Sequence, residues 1–190
     1  MANHSKGSRG PDASVGRMVA WGGAAAAMIL PVVLERAVSP GPWNGSDFIF
    51  LAILWVGVGV AFEVAARAKA KAYRLAVALA AAAVVLQVWI NLAVGIIGSE
   101  DNPANLIYAG VIAVAACGAL VARFRPLGMA RAMTGAGIAQ VAAFLAALVG
   151  GLGFTGPITV FFCALWLLSA WLFRRAAESA PFDRSRGRPA

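Results

Sequence analysis

The chain has 190 residues, 61% of them hydrophobic and only 13% charged, with a mean hydropathy of +0.80. Soluble domains carry about a quarter charged residues, so this composition excludes an ordinary water-soluble globule and makes lipid the natural solvent. The net charge of +8 sits in short clusters between apolar runs, a pattern of loops between spans and not of a nucleic-acid surface.

Residues 1–16 are polar, rich in Gly, Ser and Pro, and expected to be flexible. The first apolar run, Met18–Leu34, ends at Glu35-Arg36. It exceeds the roughly 7–15 residues of a signal-peptide core and no small-x-small cleavage site follows it, so it reads as a retained span. Phe48–Phe62, continued past Glu63 to Ala66, is the second run, Leu75–Ser99 the third and Asn102–Ala122 the fourth. The charge-free stretch Ala132–Phe173 would measure about 63 Å as one helix, twice a hydrocarbon core of ~30 Å. It must fold back, and Gly150-Gly151-Leu152-Gly153-Phe154-Thr155-Gly156-Pro157 has the composition of a turn.

The expected fold is therefore all-α. A membrane domain over 17–175 holds six transmembrane helices near 18–37, 47–67, 74–98, 103–123, 130–150 and 156–174, with flexible tails at 1–16 and 176–190. Ser46 or Asp47 is expected to cap the second span, Asp101 or Asn102 the fourth, with Pro103 in its first turn, and Thr155 the sixth.

All but one of the 16 basic residues fall on one set of loops and tails. These are Lys6, Arg9 and Arg17; Arg67, Lys69, Lys71 and Arg74; Arg123, Arg125 and Arg131; and Arg174, Arg175, Arg184, Arg186 and Arg188. The other side keeps Arg36 with Glu35, Asp47, Glu100 and Asp101. Basic loops stay cytoplasmic, which places both termini inside. Trp21, Trp43, Tyr73 and Trp171 fall where an interfacial aromatic belt is expected.

Arg17, Arg74 and Arg131 recur at an equal interval. Gln87-Val88 and Gln140-Val141 recur at matching offsets before Gly98 and Gly151. Three tandem helical hairpins would explain the spacing; chance matches among alanine-rich spans are the competing explanation. Small residues four apart, such as Gly57 with Ala61, Ala78 with Ala82, and Ala139, Ala143 and Ala147, suit close helix contact. They make the third and fifth spans the expected interior helices. Phe161-Phe162 and Trp166-Leu167-Leu168 suit a lipid or partner face.

Few polar groups lie within the spans. Glu63 precedes Arg67 by four residues, the favourable order for a surface pair; a proton or cation relay is the competing role. Gln87 and Asn91 share one face of the third span and Gln140 lies mid-way along the fifth. Interhelical hydrogen bonds are their expected role, a polar path the alternative. Glu100, Asp101 and Asn102 form a polar outer loop, a capped turn or a weak hard-cation site. Asn102-Pro103-Ala104 also spells the aquaporin tripeptide, but a single copy at a span's outer end reads as a helix start. Cys117 and Cys163 are expected to be small buried thiols. The single histidine, His4, lies in the tail, so catalytic constellations, metal sites and cofactor sites are not expected.

The segments 95–106 (Gly-Ile-Ile-Gly-Ser-Glu-Asp-Asn-Pro-Ala-Asn-Leu), Ala122-Arg123-Phe124-Arg125-Pro126, Gly128-Met129-Ala130-Arg131-Ala132 and 170–177, with Asp47-Phe48 after Trp43, resemble a group of small bacterial multi-pass membrane proteins over 43–177. The resemblance implies a bacterial inner membrane. That group has no assigned activity, so no functional residues carry over. The expected role is a non-catalytic accessory, assembly or sensor-like bundle, the alternative a small-solute or ion transporter or channel. Its expected partners are the lipid bilayer and another membrane protein or a second copy, with no nucleic acid.

Overall fold

The computed structural model describes Gly22 and residues 45–179, with the backbone alone for 45–51 and 53. The expected first span at 18–37 apart from Gly22, the tail 1–16, residues 180–190, His4, Glu35, Arg36, Trp21 and Trp43 lie outside the described residues. So do the side-chain caps expected from Ser46 and Asp47. Residues 176–178, expected in the second flexible tail, instead continue the last helix.

Among residues 45–179 five α-helices follow one another: α1 Gly45–Arg67, α2 Lys71–Ala93, α3 Leu106–Val121, α4 Pro126–Val149 and α5 Gly156–Glu178, with a 3-10 turn at Pro103–Asn105 leading into α3. No strand occurs among the described residues. Four segments there are long and apolar enough to cross a membrane: Lys71–Ala93, Pro103–Val121, Pro126–Val149 and Gly156–Glu178. The protein is an all-helical membrane protein.

The chain divides into two units, residues 1–55 and 56–190. The described part of the first is the opening stretch of α1. In the second, α4 packs on α3 and α5, and α2 packs on α5. This makes α5 the shared neighbour, and its Phe162, Trp166 and Phe173 are fully buried. The expectation that the bulky sixth span faces lipid or a partner therefore holds for Phe161, Leu167 and Leu168 but not for Phe162 and Trp166. Two large apolar faces on one helix gave no sequence signal of which face turned inward.

Small residues supply the close contacts, though not always those expected. A Cβ on Gly118 would lie 2.7 Å from the Ala132 Cβ, so α3 and α4 approach at van der Waals range. Ala143 and Ala147 are buried on α4. Ala78 and Ala82, by contrast, are exposed. The buried face of α2 is Tyr73, Ala76, Val77, Ala83 and Gln87, the three-and-four spacing of one helix stripe. A Cβ on Gly57 of α1 would meet no atom of the described residues within 4 Å.

The outside is apolar. Val121 is 85% exposed, Val149 88% and Val160 70%. Water would penalise such a surface, whereas hydrocarbon does not.

Helix limits depart from expectation where backbone chemistry intervenes. The third span ends at Ala93 instead of residue 98: Gly95 is left-handed (φ +76°), and the amides of Val94 and Gly95 both donate to the Ile90 carbonyl. The fifth begins at Pro126, four residues early, because proline's fixed φ suits a first helical turn. The sixth runs on to Glu178, with the Arg175 guanidinium 4.1 Å over the Trp171 ring.

Candidate functional site

At one end of the bundle the α2–α3 connection is built around Asn105, which is 5% exposed. Its Oδ1 accepts from the amides of Ile96 (3.0 Å) and Ile97 (2.8 Å), and its Nδ2 donates to the Ser99 carbonyl at 2.8 Å. Asn91 Nδ2, on α2, donates to the Asn105 carbonyl at 3.2 Å. Asn102 Oδ1 accepts from Ala104 N at 3.0 Å, capping the 3-10 turn. Glu100 and Asp101 are exposed. Among the described residues no three His, Cys, Asp or Glu side chains gather as metal ligands do.

Below this loop lies a buried polar layer. Gln87 and Gln140 are fully buried, as is Tyr108. Gln87 Nε2 donates to the Tyr108 carbonyl at 3.1 Å, joining α2 to α3. Tyr108 Oη and Thr155 Oγ1 lie 2.7 Å apart, joining α3 to the turn before α5. Thr155 does not cap α5 with its side chain, as its sequence position suggested; its carbonyl accepts from Thr159 N (3.0 Å) and Thr159 Oγ1 (2.9 Å).

Helix register places the two glutamines at one depth. Ser169 Oγ donates to the Ala76 carbonyl at 2.9 Å, and the Tyr73 and Phe173 rings meet edge-on at 5.1 Å, so α2 and α5 run antiparallel with residues 76 and 169 level. Gln87, ~16 Å further along α2, is then level with Ile158–Thr159. On α5's other neighbour, Cys163 Sγ donates to the Gly137 carbonyl at 3.6 Å, and a Cβ on Gly137 would lie 3.7 Å from the Trp166 Cβ. Gln140, one turn beyond Gly137, is therefore level with residues 160–163, ~4–9 Å along the axis from Trp166. Gln87 and Gln140 thus flank α5 at one level.

This layer is incompletely satisfied. Gln87 Oε1, Asn91 Oδ1, Trp166 Nε1 and both polar atoms of Gln140 find no hydrogen-bond partner among the described residues. A buried polar group without a partner costs roughly 1–3 kcal/mol, and several together call for a physical reason.

At the opposite end, Glu63 accepts from Arg67 Nε (3.1 Å) and Nη2 (3.0 Å). Arg67 is 77% exposed, so the pair contributes little to stability. Tyr73, expected in an interfacial belt, turns inward, and its hydroxyl donates to the Phe124 carbonyl at 2.7 Å. Cys117, expected to be buried, is exposed on α3, while Cys163 is half-buried.

The fold thus brings Gln87, Asn91 and Gln140 into one region, leaves Glu63 at the far end, and leaves Glu100, Asp101 and Asn102 in the loop. Tyr108, Ser169 and Trp166 were not singled out by sequence, and Asn105 only as an amide of the outer loop. Tyr108 and Ser169 are polar residues within apolar runs, the same signal that marks Gln87. Trp166 looked like an apolar bulk group because its single N–H is a small part of a large ring.

Compared with known protein families, curated proteins and solved structures, the chain matches none.

Proposed function

We propose that the chain is a six-span bacterial inner-membrane protein, with both termini in the cytoplasm, that serves as a non-catalytic accessory, assembly or sensor-like bundle. One observation carries the reading. Five side-chain hydrogen bonds run from one helix or turn to another: Gln87 to Tyr108, Asn91 to Asn105, Tyr108 to Thr155, Tyr73 to Phe124 and Ser169 to Ala76. They stabilise a scaffold. Among the described residues the neighbouring groups that general acid–base work requires do not converge: Cys117 faces outward, Cys163 bonds a carbonyl, and Glu63 lies at the far end, paired with Arg67. The basic residues around the 68–70 and 122–125 turns, and the acids of the 95–105 loop, support the inward orientation of the former. The resemblance over 43–177 supports a bacterial inner membrane.

Purification of the full chain in mild detergent tests this role. It should bring down another membrane protein in constant ratio. A lone monodisperse species that conducts solute in proteoliposomes would refute it.

The unpaired atoms of Gln140 and Gln87 favour a second reading, a small-solute or ion transporter or channel. In that case Gln87→Leu, or Glu63→Gln if a cation moves, lowers flux in proteoliposomes. Flux unchanged by both variants removes these residues from any path.

A further inference from the structure

We infer that the buried pair Gln140 and Trp166, in the layer that Gln87 edges, is a binding site for a small uncharged ligand that both donates and accepts hydrogen bonds: water, or a neutral solute of the urea or glycerol type. The site does not depend on whether the protein transports anything.

Gln140 presents an NH2 donor and a carbonyl acceptor, Trp166 an indole N–H, and Gln87 a carbonyl oxygen, all without partners among the described residues. All three side chains are fully buried. They belong to three different helices, α4, α5 and α2, which share α5 as common neighbour. The register from Cys163–Gly137 puts Gln140 one to two helical turns from Trp166 in depth, and that from Ser169–Ala76 puts Gln87 about 12 Å from Trp166, at the far edge of the layer.

Donors and acceptors are both present, so the complementary ligand must carry both. Its charge follows from the surroundings. Residues 75–99, 106–121, 132–149 and 156–173 contain no ionisable Lys, Arg, Asp or Glu, and Phe162, fully buried on α5, lies at the same level. An ion there would lose its hydration and gain no countercharge from these four segments, an arrangement that low-dielectric surroundings oppose strongly. A neutral molecule with two to four hydrogen-bonding positions satisfies the same atoms without that penalty.

The full chain, labelled with 15N at glutamine side chains and tryptophan indoles and held in lipid bicelles, provides the test. In the natural sequence, magnetisation from water should reach the Gln140 NH2 and the Trp166 indole N–H. In Gln140→Leu the transfer to Trp166 should be lost. If the ligand is a solute, adding urea or glycerol shifts both signals and displaces the water transfer; if it is water alone, the additions change neither. Absence of water transfer and of any urea or glycerol shift in the natural sequence overturns the inference. So does transfer to Trp166 that survives in Gln140→Leu unchanged. Should Gln140→Leu fail to fold, Gln140→Asn keeps the amide but withdraws it by one methylene, and the natural-sequence measurement stands by itself.

Discussion

Tyr108 and Thr155 share a buried hydroxyl–hydroxyl hydrogen bond of 2.7 Å across 47 residues of sequence. It fastens the start of α3 to the turn that launches α5, next to the layer where Gln87 grips the Tyr108 carbonyl. Polar side chains in a membrane bundle contribute about 0.6–2 kcal/mol per interhelical bond, less than the penalty of leaving one partner buried and alone.

Tyr108→Phe should therefore lower stability by about 1–2 kcal/mol, because Thr155 Oγ1 stays buried without its partner. Thr155→Val in the Tyr108→Phe background should add little further loss. Unfolding in mixed micelles with rising SDS measures both, and a double-mutant cycle should give about 1 kcal/mol of coupling. Strictly additive losses would show that the bond contributes nothing.

Asn105 satisfies two loop amides and one loop carbonyl from a single side chain. Asn105→Leu strips all three and should destabilise the protein by about 3 kcal/mol or more. Asn105→Asp keeps the two acceptor bonds and loses only the donation to Ser99, so its loss should be smaller. Limited proteolysis within 95–105 reads the same order: rapid for Leu, intermediate for Asp, slow for the natural residue.

Two glycines of one connection and its neighbouring helix should respond in opposite ways to alanine. Gly95 is left-handed, and a Cβ there would run into the Ser99 carbonyl. Gly95→Ala should cost about 2 kcal/mol or more, combining strain and backbone displacement. Gly110 lies within α3 with open space beside it, so Gly110→Ala should stabilise by about 0.5–1 kcal/mol through helix propensity. Thermal unfolding by circular dichroism in detergent separates the two.

The α3–α4 turn holds two consecutive non-glycine residues in the left-handed region, Arg123 (φ 48°) and Phe124 (φ 57°). Arg123 is exposed, whereas Phe124 packs against the core and its carbonyl accepts from Tyr73. Arg123→Gly should relieve about 1 kcal/mol of backbone strain. Phe124→Gly should be destabilising in the same assay, because lost packing outweighs the relief.

Hydropathy alone located each of the four described membrane-length helices, because ~20 apolar residues in sequence are their own signal. The turn at Gly150–Thr155 was equally legible, since no single helix of that length fits a bilayer. Rotation of each helix about its axis was not. In water, an amphipathic stripe marks the inward face; in lipid both faces are apolar, so Phe162 and Trp166 looked like Phe161 and Leu167. The outward Ala78 and Ala82 misled for the same reason: alanine fits a tight contact but does not require one. Gln87 and Gln140 were legible as interior positions because amides avoid hydrocarbon on any face. That they reach one level depends on helix register, set by contacts such as Ser169 with Ala76, which composition does not reveal.

The account depends most on α2–α5 crossing a bilayer with the 95–105 loop on one side and the 68–70 and 122–125 turns on the other. Single cysteines at Glu100→Cys or Lys69→Cys, in a chain carrying Cys117→Ala and Cys163→Ala, should be probed in intact spheroplasts with a membrane-impermeant maleimide. Residue 100 should label at once and residue 69 only after the membrane is breached. Equal labelling of both, or the reverse order, would contradict the account.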